Sequence, residues 1–412
     1  VVADAPASAP RGERPLRRRP VVAAVVLLAT YVALSWCMSP EGFLGTDTGG
    51  KVATVKVMSE RGDLDPDVGY WAAAWDPEAR VHGLYYTTRV GDRYVQVTSL
   101  PMIVAARPLW DLGGYRASLL LPMLGGVATA CAARALARRL GDGEGWTAFW
   151  IIGLASPVTI YALDLWEHSL GLALMGWAAV VLVDAVEQRP TWWRGAVAGV
   201  LFGAAAAMRT EAFVYAFVMV ALACLAIVLG RRRSFSTALA TGVSAVVGFA
   251  LAFGANLVLE TVLLGAQIRS SRTGGAATSA GMRATLRIEE ALTTLISPFS
   301  GAGGSAWALG GLLVLFLGYG ASKSTRPRDQ GLAILGFVVA GALYLFRVLD
   351  GLDFVPGMVV ATPFVAVALA LGWRTPRARP GVLLALVPPP LGVGFPVLGG
   401  AGPPWAGRST LP

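Results

Sequence analysis

The sequence predicts an all-α polytopic membrane protein with about 11 transmembrane helices and a long, folded first extracytoplasmic loop. Three properties of its 412 residues lead to this class: 55% are hydrophobic, only 14% are charged, and the mean hydropathy is +0.61. A soluble domain carries about 25% charged residues. A chain with so few charges cannot cover a soluble surface of this size, so it belongs in a lipid bilayer.

The formal net charge of +9 at pH 7 is distributed in short arginine clusters between apolar stretches. This pattern orients a multi-spanning membrane protein, whereas a nucleic-acid-binding protein gathers its basic residues on one surface. We therefore expect the lipid bilayer, and no nucleic acid, as a partner. The cysteines show neither disulfide nor metal-ligand spacing, and they are Cys37, Cys131 and Cys224.

Each membrane span needs about 20 mostly apolar residues, or fewer where neighbouring protein shields its ends. Residues 21–38 form the first such run. A signal peptide is the alternative, because residues 11–19 are basic, but the apolar run is long and no clear small-residue cleavage site precedes Ser39. Further spans are predicted at 117–133, 146–162, 170–186, 196–208, 212–229, 237–264, 306–319, 331–346, 358–372 and 381–399.

Basic clusters fall between alternate pairs of these spans and define one side of the membrane. They lie at 11–19, 134–139, 189–194, 231–233, 323–328 and 374–379. By the positive-inside rule this side is cytoplasmic. The abundance of Arg, Ala and Gly is typical of a GC-rich bacterial genome, which indicates a bacterial cytoplasmic (inner) membrane. We divide the chain into a basic cytoplasmic N-terminal tail, 1–20, and a single transmembrane domain, 21–412.

The opposite side holds two long loops, 39–115 and 266–305, and most of the acidic residues. The first loop is too rich in Trp and Tyr for a disordered segment. We expect it to fold, with amphipathic segments along the outer membrane surface, and we expect any chemistry on this side. The chain begins with Val and its last predicted span ends close to residue 412, which is typical of a fragment or of a truncated C-terminus.

Asp47 follows the first span within a glycine-rich turn that lets the backbone approach a ligand closely. With Lys51 four residues later, its carboxylate has the chemistry of a general base beside a phosphate-binding cation. The alternative is structural: Thr46 or Asp47 caps the N-terminus of a surface helix.

A second polar cluster occupies the short outer turn between the third and fourth predicted spans. It contains Asp164, Trp166, Glu167 and His168. Charged groups at membrane depth are costly unless they are used, so ligand binding and metal ligation are both open. Alternatively, Trp166 anchors the membrane interface and the charged side chains face water.

Arg209 and Glu211 separate two apolar runs with almost no loop between them. The preceding run, 196–208, is short, which places the pair near or below the outer interface. There the two side chains either satisfy each other or bind a buried anion. The sequence contains no Walker loop and no nucleophile elbow, in agreement with a site that faces outward.

These features together resemble the membrane-embedded class C glycosyltransferases, in particular bacterial relatives of protein O-mannosyltransferases and of the aminoarabinose transferase of lipid A. The resemblance rests on the early acidic residue, Asp47, and on short motifs. Residues 62–65 (GDLD) and 93–114 are similar to motifs between the first two spans. Residues 206–211 are similar to an R-x-E turn, and 399–412 look like a modified G-G-x-x-W-G-x-R-x-L-x-P motif.

The resemblance implies transfer of a sugar from a polyprenyl-phosphate donor to a lipid, glycan or protein acceptor of the cell envelope. In this scheme Asp47 is the general base. The residues that would bind the donor phosphate are Lys51, Arg209 and Arg408. Those that would bind the sugar or the acceptor are Trp166, Glu167, His168 and Glu211. The resemblance assigns no certain cofactor and leaves a divalent metal open.

Two other functions fit the same composition. A transporter or flippase for a lipid-linked substrate would place charged residues or broken helices at the bilayer midplane, whereas here the polar residues collect at one face and in one long loop. A non-catalytic scaffold of the cell envelope is the third hypothesis.

Overall fold

A computed structural model describes the N-terminal two thirds of the chain and one later helix. The described residues are 18–38, 47–70, 72–78, 87–96, 99–140, 143–188, 191–229, 235–265, 314, 317, 318, 321 and 326–350. Four predictions lie wholly or mostly outside these residues: the second outer loop at 266–305 and the spans at 306–319, 358–372 and 381–399.

The described chain is mainly helical, with one short β-hairpin. The helices before the hairpin are α1 (Arg18–Ser35) and α2 (Asp47–Arg61), and the hairpin strands are β1 (Thr87–Val90) and β2 (Arg93–Gln96). The helices that follow are α3 (Leu100–Ser118), α4 (Leu120–Leu140), α5 (Trp146–Leu154), α6 (Pro157–Ala162), α7 (His168–Glu187), α8 (Trp192–Met208), α9 (Ala212–Leu229), α10 (Phe235–Leu264) and α11 (Pro327–Asp350).

Four of these helices are long and apolar enough to cross a membrane, as judged by length and composition. The candidate spans are Leu120–Arg139, His168–Glu187, Ala212–Leu229 and Phe235–Leu264. They coincide with four predicted spans, and a shorter apolar helix, Pro20–Ser35, lies where the first span is predicted. The described part of the chain is therefore that of a helical membrane protein, and the total of 11 spans stays a prediction.

The predicted span at 146–162 is wrong as one continuous helix, because it is divided into α5 and α6. The break precedes Pro157, which has no backbone N–H to donate to the carbonyl of Gly153 four residues earlier. Side chains replace the missing donor: the Tyr31 hydroxyl donates to the Gly153 oxygen at 2.6 Å and the Thr159 hydroxyl at 3.0 Å. Tyr31 is fully buried, so α1 is tied to this break.

Helices α4 and α7 run parallel and define two ends of the bundle. At their N-terminal ends, Ser169 Oγ donates to the carbonyl oxygen of Pro122 at 2.8 Å. At their C-terminal ends, the Arg139 guanidinium donates to both carboxylate oxygens of Asp184, at 2.6 and 2.8 Å. The basic cluster around Arg139 therefore lies at the end of the bundle opposite the start of α7.

Helix α8 packs along α10 through small residues. A methyl group on Gly199 would overlap the carbonyl oxygen of Ala245, and one on Gly203 would lie 2.5 Å from the carbonyl oxygen of Phe249. Only glycine lets the two backbones approach so closely. Because partners on both helices advance in the same direction, α8 and α10 are also parallel.

Within the segment predicted as the first outer loop, residues 39–115, the structure has α2, the hairpin and most of α3. Met58 of α2 and Ile103 of α3 are buried in one apolar cluster with Leu27 of α1. Helix α3 continues past the predicted loop end and is interrupted at Gly113 and Gly114, where Gly114 has a φ of 62°. The segment is thus packed onto the bundle by apolar contacts.

Candidate functional site

The candidate site forms where three chain segments meet beside the start of α7. These segments are the first turn of α2, the turn between α6 and α7, and the turn between α8 and α9. Together they carry seven of the eight predicted site residues, which are Asp47, Lys51, Trp166, Glu167, His168, Arg209 and Glu211. The eighth, Arg408, lies outside the described residues, as does the second histidine, His82.

Lys51 is the centre of this cluster and has no exposed surface. Its ammonium group contacts Asp47 Oδ2 at 2.9 Å and also pairs with Glu167, which is fully buried as well. An ammonium group without exposed surface is tolerated only when it is paired and hydrogen-bonded. The i,i+4 spacing on α2 accounts for the contact with Asp47, whereas the contact with Glu167 joins α2 to the start of α7.

Asp47 is partly exposed, with 17% of its side chain accessible. It is the first residue of α2, but no described backbone amide of this helix donates to its carboxylate. Oδ2 accepts from Lys51, and Oδ1 accepts from the Gln96 amide at 3.3 Å. The contacts of the carboxylate therefore do not support the capping alternative for Asp47, and Thr46 is outside the described residues.

Glu167 joins both cations of the cluster. Its Oε1 lies 3.5 Å from Arg209 Nη1, while its other oxygen meets Lys51. Burial alone would raise the pKa of Glu167, but the charges of Lys51, His168 and Arg209 hold that pKa well below its ordinary value. Glu167 therefore stays ionised and holds the two cations together, and it has no exposed surface for a ligand.

Arg209 and Glu211 form a close ion pair, with 2.6 Å between Nη2 and Oε1. Arg209 has extended backbone angles, so α8 ends at Met208 and the side chain turns into the site. About a quarter of each side chain is exposed, 24% for Arg209 and 29% for Glu211. Burial opposes the charge of Arg209, but the carboxylates of Glu211 and Glu167 outweigh it and raise the pKa of Arg209, so the guanidinium is a permanent cation.

The Arg209 side chain packs against α7 at Gly171, which has no side chain of its own. A methyl group on Gly171 would lie 3.0 Å from Arg209 Cγ, which is tighter than ordinary van der Waals contact. Helix α8 is also longer than predicted: it spans Trp192–Met208 instead of 196–208. The length of the preceding helix therefore gives no reason to place Arg209 below the outer interface, and its position is defined by its contacts.

Asp164 closes the cluster on one side. Its Oδ1 accepts a hydrogen bond from the Thr48 hydroxyl at 2.8 Å, which links the α6–α7 turn to α2. Burial raises the pKa of Asp164, and the bonds from Thr48 and the Leu165 amide oppose this rise. The contact holds the turn in register with the first turn of α2.

Three aromatic rings lie beside the charged cluster. The rings of Tyr161 and His168 are stacked with centroids 4.6 Å apart, and the Trp166 ring lies 4.9 Å from that of His168. Each ring is only partly buried. Such a group of rings suits the apolar face of a sugar.

The sequence alone does not predict Tyr161, Thr48 or Gln96 as site residues. Tyr161 lies in a predicted span, and its aromatic ring gave no signal beyond that of an interface residue. Gln96 lies in a strand 49 residues from Asp47, so only the tertiary structure brings them together. Thr48 is adjacent to Asp47 and could have been found as a polar neighbour.

The described residues contain no group of three or more His, Cys, Asp or Glu side chains that could hold a metal ion. The carboxylates of Asp47, Glu167 and Glu211 are instead paired with Lys51 or Arg209, and that of Asp164 accepts from Thr48. Within the described site, ligand binding would rest on cations, carboxylates and aromatic rings.

Comparison with protein-family models, with curated proteins and with solved structures gives no match to this chain.

Proposed function

We propose that the chain transfers a sugar from a polyprenyl-phosphate donor to an acceptor of the cell envelope at the outer face of a cytoplasmic membrane. The observation that carries this proposal is the continuous ion network from Asp47 through Lys51 and Glu167 to Arg209. It joins a partly exposed carboxylate to a partly exposed guanidinium at one end of an apolar helix bundle. A base and a phosphate-binding cation are the two groups that this reaction requires.

In the proposed reaction, Asp47 removes the proton of an acceptor hydroxyl as its oxygen bonds to the anomeric carbon. The bond between that carbon and the phosphate oxygen breaks, and its electron pair leaves with the polyprenyl phosphate. The negative charge that develops on the phosphate needs a cation nearby. Arg209 suits this role because its guanidinium is permanently charged and partly exposed, and Arg408 remains a predicted second cation.

We assign Lys51 a role other than the phosphate binding that the sequence resemblance implies. Its ammonium group has no exposed surface and already meets two carboxylates. We therefore propose that it holds Asp47 and Glu167 in place instead of contacting the phosphate directly. The same burial makes Glu167 a support for Lys51 and Arg209, and leaves sugar or acceptor binding to Trp166, His168 and Glu211.

The orientation of the bundle agrees with an outward site. The candidate site adjoins the start of α7, whereas the arginine cluster around Arg139 lies at the other end. If that cluster is cytoplasmic by the positive-inside rule, the site faces the outer side, where a lipid-linked donor is presented.

A transporter receives less support from the described helices. In the four candidate spans, every Asp, Glu, Lys and Arg lies near one end and not in the middle. A midplane substrate site would need polar groups there.

The test is a transfer assay with the purified full chain in lipid vesicles. Radiolabelled polyprenyl-phosphate sugars and a cell-envelope extract are supplied, and the label is followed into extractable lipid, glycan and protein. We expect transfer by the parent, loss in Asp47→Asn, and full transfer in Asp92→Asn, a matched change of a fully exposed hairpin carboxylate. Movement of label across the vesicle membrane without transfer would instead indicate the transporter.

A further inference from the structure

Gln96, the last residue of β2, touches the proposed base from the hairpin. Its side-chain Nε2 lies 3.3 Å from both the backbone oxygen and the carboxylate Oδ1 of Asp47. Only 2% of Gln96 is exposed. Both partner atoms are acceptors, so the amide orientation is determined: the NH₂ group must face Asp47.

Among the described residues, no group donates to the opposite side of this amide. Gln96 Oε1 is buried and has no described donor. Burying an amide oxygen without a donor destabilises the fold, and an apolar residue of similar size would avoid this cost. Buried polar groups normally have hydrogen-bond partners, so a buried Gln with an unpaired oxygen needs an explanation. The contacts of its NH₂ group with Asp47 supply one, because functional sites are where such exceptions are expected.

The hairpin holds Gln96 firmly in this position. The preceding residue, Val95, is fully buried in an apolar cluster with Leu264 at the end of α10. Arg93 donates to the carbonyl oxygens of Leu263 and Leu264 at 3.0 and 2.6 Å. The strand is therefore attached to the bundle independently of α2, and it presents the amide to Asp47 from a fixed direction.

We infer that Gln96 is a positioning residue for Asp47, an inference that rests on the proposed function. Lys51 holds Oδ2 and Gln96 holds Oδ1, so the carboxylate cannot rotate. Each carboxylate oxygen accepts about two hydrogen bonds. Oδ1 thus keeps one lone pair, which receives the proton of the acceptor hydroxyl. The second bond of Gln96, to the Asp47 backbone oxygen, keeps the first turn of α2 at the same place.

Two substitutions at this position test the inference in the transfer assay. Gln96→Leu keeps the approximate volume and removes the unpaired oxygen, so we expect unchanged or higher thermal stability, about a tenfold lower kcat and a donor KM within about twofold of the parent. Gln96→Glu places a second carboxylate beside Asp47 while Lys51, Asp164 and Glu167 are unchanged. Because neighbouring carboxylates favour protonation of one of them, the acidic limb of kcat/KM against pH should move upward by about one pH unit.

The control is Asp92→Asn, an exposed change in the same hairpin, which should leave kcat and the pH profile as in the parent. If the parent transfers sugar but Gln96→Leu leaves kcat unchanged, the inference is overturned and the proposed function stands. The same holds if Gln96→Glu folds but leaves the pH profile unchanged. If Gln96→Glu does not fold, the kcat of Gln96→Leu decides. A folded parent that transfers no sugar overturns both.

Discussion

Variants of the ion pair between Arg209 and Glu211 distinguish a structural role of Arg209 from a role in binding the donor phosphate. We consider three variants: Arg209→Met, Glu211→Gln and the double variant. Arg209 contacts Glu211 at 2.6 Å and Glu167 at 3.5 Å, and about a quarter of the guanidinium-bearing side chain is exposed. Arg209→Met therefore removes a cation from two carboxylates, whereas Glu211→Gln leaves Arg209 with Glu167.

The expected stability losses follow from this geometry. Breaking a fully buried pair costs about 3–5 kcal/mol, and an exposed pair contributes about 0–1 kcal/mol. For these partly exposed side chains we expect a loss of about 2 kcal/mol for Arg209→Met and about 1 kcal/mol for Glu211→Gln. The double variant should lose less than the sum, because the carboxylate of Glu211 is no longer left without its cation.

Donor binding should behave differently from stability. If Arg209 binds the donor phosphate, Arg209→Met and the double variant should both bind the donor at least about tenfold more weakly, a loss of about 1.4 kcal/mol. Glu211→Gln keeps the Arg209 cation, so it should bind the donor more tightly than either of these variants. Thermal unfolding in detergent gives the stabilities, and equilibrium binding of a labelled polyprenyl-phosphate sugar gives the affinities. A stable double variant with the donor affinity of the parent would refute the phosphate-binding role.

Four further predictions concern the base, the topology, the helix packing and the response to acid. Asp47→Asn should lower kcat by about 10²-fold or more with donor affinity nearly unchanged, and survival of activity would remove Asp47 as the base. Glu78→Cys, in a background without native cysteines, should react with an impermeant maleimide in intact cells, because the first outer loop is predicted to lie outside the cytoplasm. Labelling that appears only after the cells are permeabilised would contradict this prediction. Gly199→Ala should lower stability by about 1–3 kcal/mol through overpacking against α10, whereas Gly254→Ala, with open space around the added methyl group, should be neutral or slightly stabilising in the same denaturation experiment. Because the pKa of Glu167 is lowered in the folded chain, its ion pairs contribute full stability above its ordinary pKa, and this contribution should disappear as the pH falls through the lowered value; a Glu167→Gln variant should lack that part of the acid dependence, measured as Tm against pH.

The sequence by itself determined the class of the protein and several local features. Hydropathy is a property of each segment, so the positions of α4, α7, α9 and α10 could be predicted before any packing was known. The i,i+4 spacing of Asp47 and Lys51 and the short separation of Arg209 and Glu211 are likewise local, and both pairs are close in the structure.

Only the tertiary structure decided which distant residues these local groups contact. Glu167 lies 116 residues from Lys51 along the chain, and the contact between them arises because α2 packs at the start of α7. Gln96 reaches Asp47 only because apolar contacts attach the hairpin to α10. Likewise, Pro157 explains the break within 146–162, but only the packing of α1 against it brings Tyr31 to the Gly153 carbonyl that the proline leaves free. Hydrophobicity and residue spacing are local properties, so they can be read from the sequence. The partner of a buried charge or carbonyl is the group that the packing of distant elements brings within hydrogen-bonding distance.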